Sequence, residues 1–216
     1  MITMTDVLPE PGRDCPLCPR LVAYRCENQR ANPAWFNGPA PSFGDENAQL
    51  LVVGLAPGRT GANRTGRPFT GDHAGMLLYE TLIKYGFAKG HYQARPDDGL
   101  ILTGCMITNA VRCAPPGNKP ETSEENTCRP FLAARIAALP KLKVIVTLGD
   151  VSRRNVLKAL GLKASATAGG HGAEFETNRY RLINSYHCSR LNTNTGRLTT
   201  PMFEAVFDRA RALIEA

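Results

Sequence analysis

Short apolar runs alternate with helical patterns along this chain, and each run ends in a loop rich in Gly, Pro or polar residues. Leu50–Leu55 is one such run, Met106–Val111 a second and Lys143–Leu148 a third. A fourth, Phe175–Asn184, reads as a hairpin entering a last strand. Runs apolar at every position, rather than at alternate ones, belong to strands covered on both faces. Helical spacing follows each: Leu78/Leu82 and Tyr79/Ile83 within His73–Tyr85, then a helix from about 123 to 139, opened by a capping box at Thr122-Ser123-Glu124-Glu125. Another runs from Gly149-Asp150 to Leu160. Thr200-Pro201 starts a closing helix whose inner face is Phe203, Val206, Phe207, Ala210, Leu213 and Ile214. The alternation predicts an α/β protein, a central, mostly parallel sheet flanked by helices on both sides. Right-handed crossovers then gather the loops after Val53, Val111, Leu148 and Ile183 at one sheet edge, where open α/β sheets bind ligands.

A chain of 216 residues fits one domain, 1–216, with a cysteine knuckle segment at 13–31 as its N-terminal part. Residues 32–47, punctuated by Pro33, Pro39 and Pro41, read as loop. Lys and Arg number 26 against 19 Asp and Glu, a net +7 that leans toward a polyanionic partner. No apolar run is long enough to cross a bilayer. Met1–Pro9 lacks the basic-then-apolar pattern of an export signal. Seven cysteines, an odd number, argue against a disulfide framework. The expectation is a cytoplasmic monomer.

The loop from Gly54 to Asp72 carries the densest chemistry. Its glycines let backbone approach a ligand, and Arg59, Arg64 and Arg67 suit phosphates. Phe69 can stack on a ring; Pro68 and Thr70-Gly71 around it predict a shallow position. Asp72 is the carboxylate best placed for chemistry, and equally a helix N-cap before His73. Asn109 lies within the second apolar run, and its amide can both donate and accept. A second polar stretch, Ser185–Leu198, holds His187, Ser189, Arg190, Leu191 and Asn192. Hydroxyls, amides and Arg contact phosphates, and a lone apolar side chain among them can wedge into a base stack.

Cys15 and Cys18 form a C-x2-C pair, and Cys113 and Cys128 have fourteen residues between them. Four thiolates in Pro-rich, irregular stretches suit zinc or an iron–sulfur cluster. Zinc ribbons usually pair two short knuckles, so the long second spacing tilts toward iron–sulfur, with zinc second. Cys26 and Cys105 read as small buried residues.

Taken together, Gly54-Leu-Ala-Pro-Gly58, Thr70-Gly71-Asp72, the four cysteines, Thr108-Asn109-Ala110-Val111-Arg112-Cys113 and His187-Cys-Ser-Arg-Leu-Asn-Thr193 resemble the uracil-DNA glycosylases, and best the iron–sulfur group called family 5 or type b. Cys188 stands where that family usually has proline. The resemblance implies a DNA repair enzyme that flips out uracil, and other deaminated bases such as hypoxanthine, and hydrolyses the N-glycosidic bond to leave an abasic site. It implies Asp72, His187 and Asn109 as catalytic residues. It places Gly54, Ala56, Pro57, Gly58, Asn63, Phe69, Ser189, Arg190, Leu191 and Asn192 against base and DNA. It also implies a structural 4Fe–4S cluster on Cys15, Cys18, Cys113 and Cys128, and damaged DNA as partner.

Other classes fit less well. Gly54–Gly61 lacks the Gly-Lys-Ser/Thr of a P-loop and the Gly-x-Gly-x-x-Gly of a dinucleotide fold. None of the four histidines has the Glu two residues on that a zinc deaminase needs. The main alternative is a non-catalytic nucleic-acid-binding protein with a structural metal centre, which leaves Asp72 and His187 without a task.

Overall fold

The computed structural model describes residues 9–167 and 169–216; most of the Met1–Pro9 stretch read for an export signal lies outside them. The elements in chain order are α1 (Pro19–Ala31), β1 (Phe43–Gly44), β2 (Leu50–Gly54), α2 (Ala62–Thr65), α3 (His73–Lys84), β3 (Ala88–Lys89), β4 (Ile101–Leu102), β5 (Cys105–Asn109), α4 (Thr122–Ala137), β6 (Val144–Leu148), α5 (Asp150–Ala159), β7 (Glu174–Glu176), β8 (Arg181–Ser185), α6 (Arg190–Asn194) and α7 (Thr200–Glu215). Six strands form one sheet in the order β1-β5-β2-β6-β8-β7. The inner four, β5, β2, β6 and β8, are parallel, and the edges β1 and β7 are antiparallel.

Register explains why the apolar runs are continuous. Leu50, Val52, Ile107, Val144, Val146 and Ile183 point to one face, where Leu78, Tyr79 and Leu82 of α3 and Phe203, Phe207 and Ala210 of α7 cover them. Leu51, Val53, Met106, Ile145 and Leu182 point to the other, under Leu132 and Ile136 of α4 and Val156 and Leu157 of α5. Both faces are covered, so apolar residues fill most positions, and buried polar ones such as Thr147 and Asn184 pair with each other. The α/β architecture expected from the alternation is therefore present, with helices on both sides.

Details differ at the ends. The capping box sits one residue earlier, with Glu121 as N-cap and Glu124 answering it. Thr199, not Thr200, caps α7, accepting from the Met202 amide. Residues 32–47, read as loop, contain β1. A small hairpin of β3 and β4 was not anticipated. Each of these strands has two residues, too few to carry an alternation. Among the described residues no helix is long and apolar enough to cross a membrane.

Candidate active site

Because the four inner strands are parallel, the loops leaving their carboxyl ends meet at one sheet edge. A cavity of about 440 Å³ opens there. Its walls come from Leu55–Thr60, Ala62, Phe69 and Asp72–Ala74 after β2, from Asn109 and Asn118 at and beyond the end of β5, and from His187, Ser189 and Arg190 after β8. The loop after β6 lends only backing: a β-carbon on Gly149 would touch Cβ of His187 at 3.6 Å.

Asp72 combines two roles that sequence reading set against each other. It is the N-cap of α3, its Oδ1 accepting from the Gly75 amide at 3.2 Å. It also lines the cavity. Oδ2 faces the Gly58–Gly61 turn, where a β-carbon on Gly61 would come within 2.5 Å of it, so glycine there makes room for the carboxylate. Burial holds this carboxyl above the ordinary aspartate range, with the amides of Gly75 and Ala74 pulling the other way.

Asn109 ends β5 directly beside Gly54, its register partner on β2. Its Oδ1 is buried and has no hydrogen-bond partner. A side chain on Gly54 would collide with that oxygen and lie 2.6 Å from Cζ of Phe69. Gly54 is thus the floor beneath Asn109 and Phe69 rather than a wall. His187 is half-buried with its Nδ1 enclosed and without a partner, and desolvation lowers its pKa, so the ring is neutral at pH 7. Its centroid lies 6.0 Å from that of Phe69, the two rings inclined by 31°. A buried acceptor with no partner is costly, and a polar ligand edge relieves that cost.

Phe69 is buried, 6 % exposed, not shallow as its neighbours implied. It also has φ of +53°, an unfavourable conformation for a bulky residue. A buried frame holds it. Tyr92 donates to the Phe69 carbonyl at 3.0 Å and Tyr79 to the Pro68 carbonyl at 2.7 Å. Arg67, expected to meet phosphate, belongs to this frame instead. Its guanidinium forks onto Asp98 with two bonds of 2.7 Å, and its Nε donates to Thr70 Oγ1. Arg67 holds the Asp98 carboxyl far below the usual carboxylate range.

Asn63 also departs from expectation. It is buried, donating to Asn37 Oδ1 at 3.1 Å, and does not reach the cavity. Ser189 caps α6, and Asn192 Nδ2 donates to the His187 carbonyl at 2.8 Å, bracing the histidine rather than facing ligand. Leu191 is 72 % exposed on that short helix, beside Arg190 at the rim. Cys188 is fully buried in the core next to Asp72, whose charge adds to burial in raising its thiol pKa. His73, Thr60 and Asn118 escaped the sequence reading. His73 follows an N-cap, which leaves its side chain free; it lines the cavity and reaches Thr193 Oγ1 at 3.1 Å, linking α3 to α6. Asn118, at φ +57°, carried no signal beyond its Pro-Gly turn.

Cys15, Cys18, Cys113 and Cys128 line one small apolar cavity with Leu21, Val111 and Phe131. Burial, with the neighbouring thiols, pushes Cys18 up to about 11 and Cys113 up to about 12. The Arg112 amide points at Cys128 Sγ, 3.4 Å away, and Arg25 Nη1 stands 3.9 Å from Cys113 Sγ. Among the described residues no three His, Cys, Asp or Glu side chains converge on a single-ion site. Cys26, expected to be buried, is exposed, while Cys105 is buried as expected.

An open α/β sheet with a neutral histidine, a capping aspartate and an amide oxygen without a partner around one cavity has the makings of a hydrolytic site for a planar ring. Comparison with known proteins agrees. Residues 41–211 match the model of the uracil DNA glycosylase superfamily. A Type-5 uracil-DNA glycosylase of Thermus thermophilus is 45 % identical over 92 % of this chain and 93 % of its own length. One from Pyrobaculum aerophilum is 41 % identical over 92 % and 88 %. A Type-4 uracil-DNA glycosylase of the same organism reaches 31 % over 70 % and 64 %. The chain belongs to the uracil-DNA glycosylase superfamily, whose members are hydrolytic DNA N-glycosylases.

Proposed function

We propose that this chain removes uracil from DNA by hydrolysing its N-glycosidic bond. The observation that carries this reading is the unpaired, buried Oδ1 of Asn109 at the cavity wall. A uracil edge offers it the N3–H, while the Asn109 amide group can donate to an adjacent carbonyl. Phe69 supplies a ring for the base to lie against, a contact worth about 1–3 kcal/mol in comparable sites.

Cleavage builds positive charge on the deoxyribose and negative charge on the departing base. Asp72 Oδ2, the carboxylate oxygen left over from capping, stabilises the sugar cation and orients the attacking water. His187, neutral, donates to a base oxygen as charge gathers there. No lysine lines the cavity among the described residues, which favours direct hydrolysis over a covalent amine intermediate. Leu191 fills the gap that the extruded nucleotide leaves in the duplex.

Hypoxanthine presents the same neighbouring carbonyl and N–H as uracil, so the Asn109 amide suits both, and the cavity has room for a purine. The four thiols fit a structural iron–sulfur cluster with no part in the bond-breaking step. Their lining of an apolar cavity without a single-ion arrangement supports a cluster over one zinc, whose thiolates crowd within about 2.3 Å of the metal. The test is release of free uracil, then of hypoxanthine, from oligonucleotides carrying one such base.

A further inference from the structure

A second open cavity, about 500 Å³, lies beyond the catalytic one. Trp35 and Phe36 form its aromatic wall, Arg64 and Arg95 its cationic one. The two cavities share a partition, the segment from Arg59 to Thr65. Arg59 lines the catalytic side, and its guanidinium also lies over the Trp35 ring, 5.4 Å from the centroid. Asn28 Oδ1 accepts from Arg59 Nε at 2.8 Å and fixes that placement. Arg64, on the far side, points Nη2 at the Gly71 carbonyl, one residue before Asp72. Arg95 is exposed and meets Asp97 only at 3.8 Å, with Gln93 Oε1 at 2.8 Å. So the groove adjoins the substrate site across that segment, and its exposed arginines suit an anionic chain.

An aromatic face beside arginines is the chemistry that holds unpaired nucleic acid, since every base has a π-face and every linkage a phosphate. We infer that this groove is a second nucleotide subsite, taking an unpaired base of the strand that flanks the extruded nucleotide. The base stacks on Trp35, and Arg64 and Arg95 meet the adjoining phosphates. The inference rests on reading the first cavity as the seat of a flipped nucleotide. It predicts a preference for substrates whose flank is single-stranded.

Trp35 is the sole tryptophan of the chain, so all tryptophan emission arises at the groove wall. Titration of the wild-type protein with undamaged single-stranded decathymidylate should quench that emission to saturation, whereas deoxyuridine as a free nucleoside, which reaches only the first cavity, should leave it unchanged. Trp35→Ala should raise the half-saturating concentration of a single-stranded uracil substrate about tenfold with an unaltered single-turnover rate at saturation, and Trp35→Phe should recover most of the loss. Emission indifferent to the oligonucleotide, or quenched equally by the nucleoside, overturns the subsite. Because quenching is read on undamaged DNA and base release on uracil DNA, a protein that releases uracil without quenching loses only this inference. Quenching without release would instead sink the proposed activity.

Discussion

Asp72 spends one oxygen on folding and keeps the other for chemistry. The fold raises its pKa, so it holds the ionised form at a cost. That contribution to stability is complete below the unfolded value, near 3.9, and is lost as pH climbs through the higher folded value. At pH 7 Asp72→Asn therefore melts at a higher temperature than wild type, since asparagine caps a helix as well as aspartate does. The same variant loses roughly a hundredfold in single-turnover rate with DNA affinity little changed. The wild-type rate, needing the carboxylate, falls as pH drops through that raised pKa. Thermal melts and rates measured across pH on the same two proteins check each part. Single residues are also where the sequence misled most. The loop around Arg67 reads as cationic, but Asp98, thirty-one positions away in a segment with no periodic pattern, forks onto Arg67 and takes it into the interior. Phe69 follows Arg67 inward, because the Tyr79 and Tyr92 hydroxyls bind that stretch of backbone. Tertiary partners of this kind leave no mark on local composition.

At the level of elements, the cavity exists because β2 and β5 end side by side. Gly54→Ala places a methyl group against Asn109 Oδ1 and the Phe69 ring. Expected outcomes are a loss of about 1–3 kcal/mol in stability from overpacking and a larger fall in activity, read by denaturant unfolding and base release. On α6, Leu191→Ala should slow excision from duplex DNA while sparing single-stranded substrate, because only the duplex needs its gap filled. Equal slowing on both would assign Leu191 another task. The central strands were legible to within one or two residues, as each is buried on both faces. α6 was not, since five residues with no buried apolar side chain present no helical period.

For the whole molecule, the question is what fastens α1. Of its thirteen residues only Leu21 and Asn28 are buried. The Arg20 fork onto Glu124 helps, but Arg20 is partly exposed, and such pairs contribute little. A cluster shared by Cys15 and Cys18 with Cys113 and Cys128 would tie this helix to the loop after β5. Ala56, on the cavity wall, packs against the same cysteine-rich group. Removing the iron by chelation, or Cys113→Ser, should lower the melting temperature and free α1 to proteolysis. Iron and sulfide analysis should find about four of each per chain before treatment. The knuckle and its two distant partners were visible in the sequence as spacing alone; their shared apolar cavity required the fold.

Release of free base decides the central claim. Purified protein is incubated with an oligonucleotide bearing one uracil, alongside Asp72→Asn and His187→Ala. The wild type should liberate uracil and leave an alkali-labile abasic site. His187→Ala should be slower by about 3–4 kcal/mol of barrier, and Asp72→Asn by roughly a hundredfold. A wild-type protein that binds the oligonucleotide yet leaves every uracil attached, or variants that match it in rate, would contradict the account.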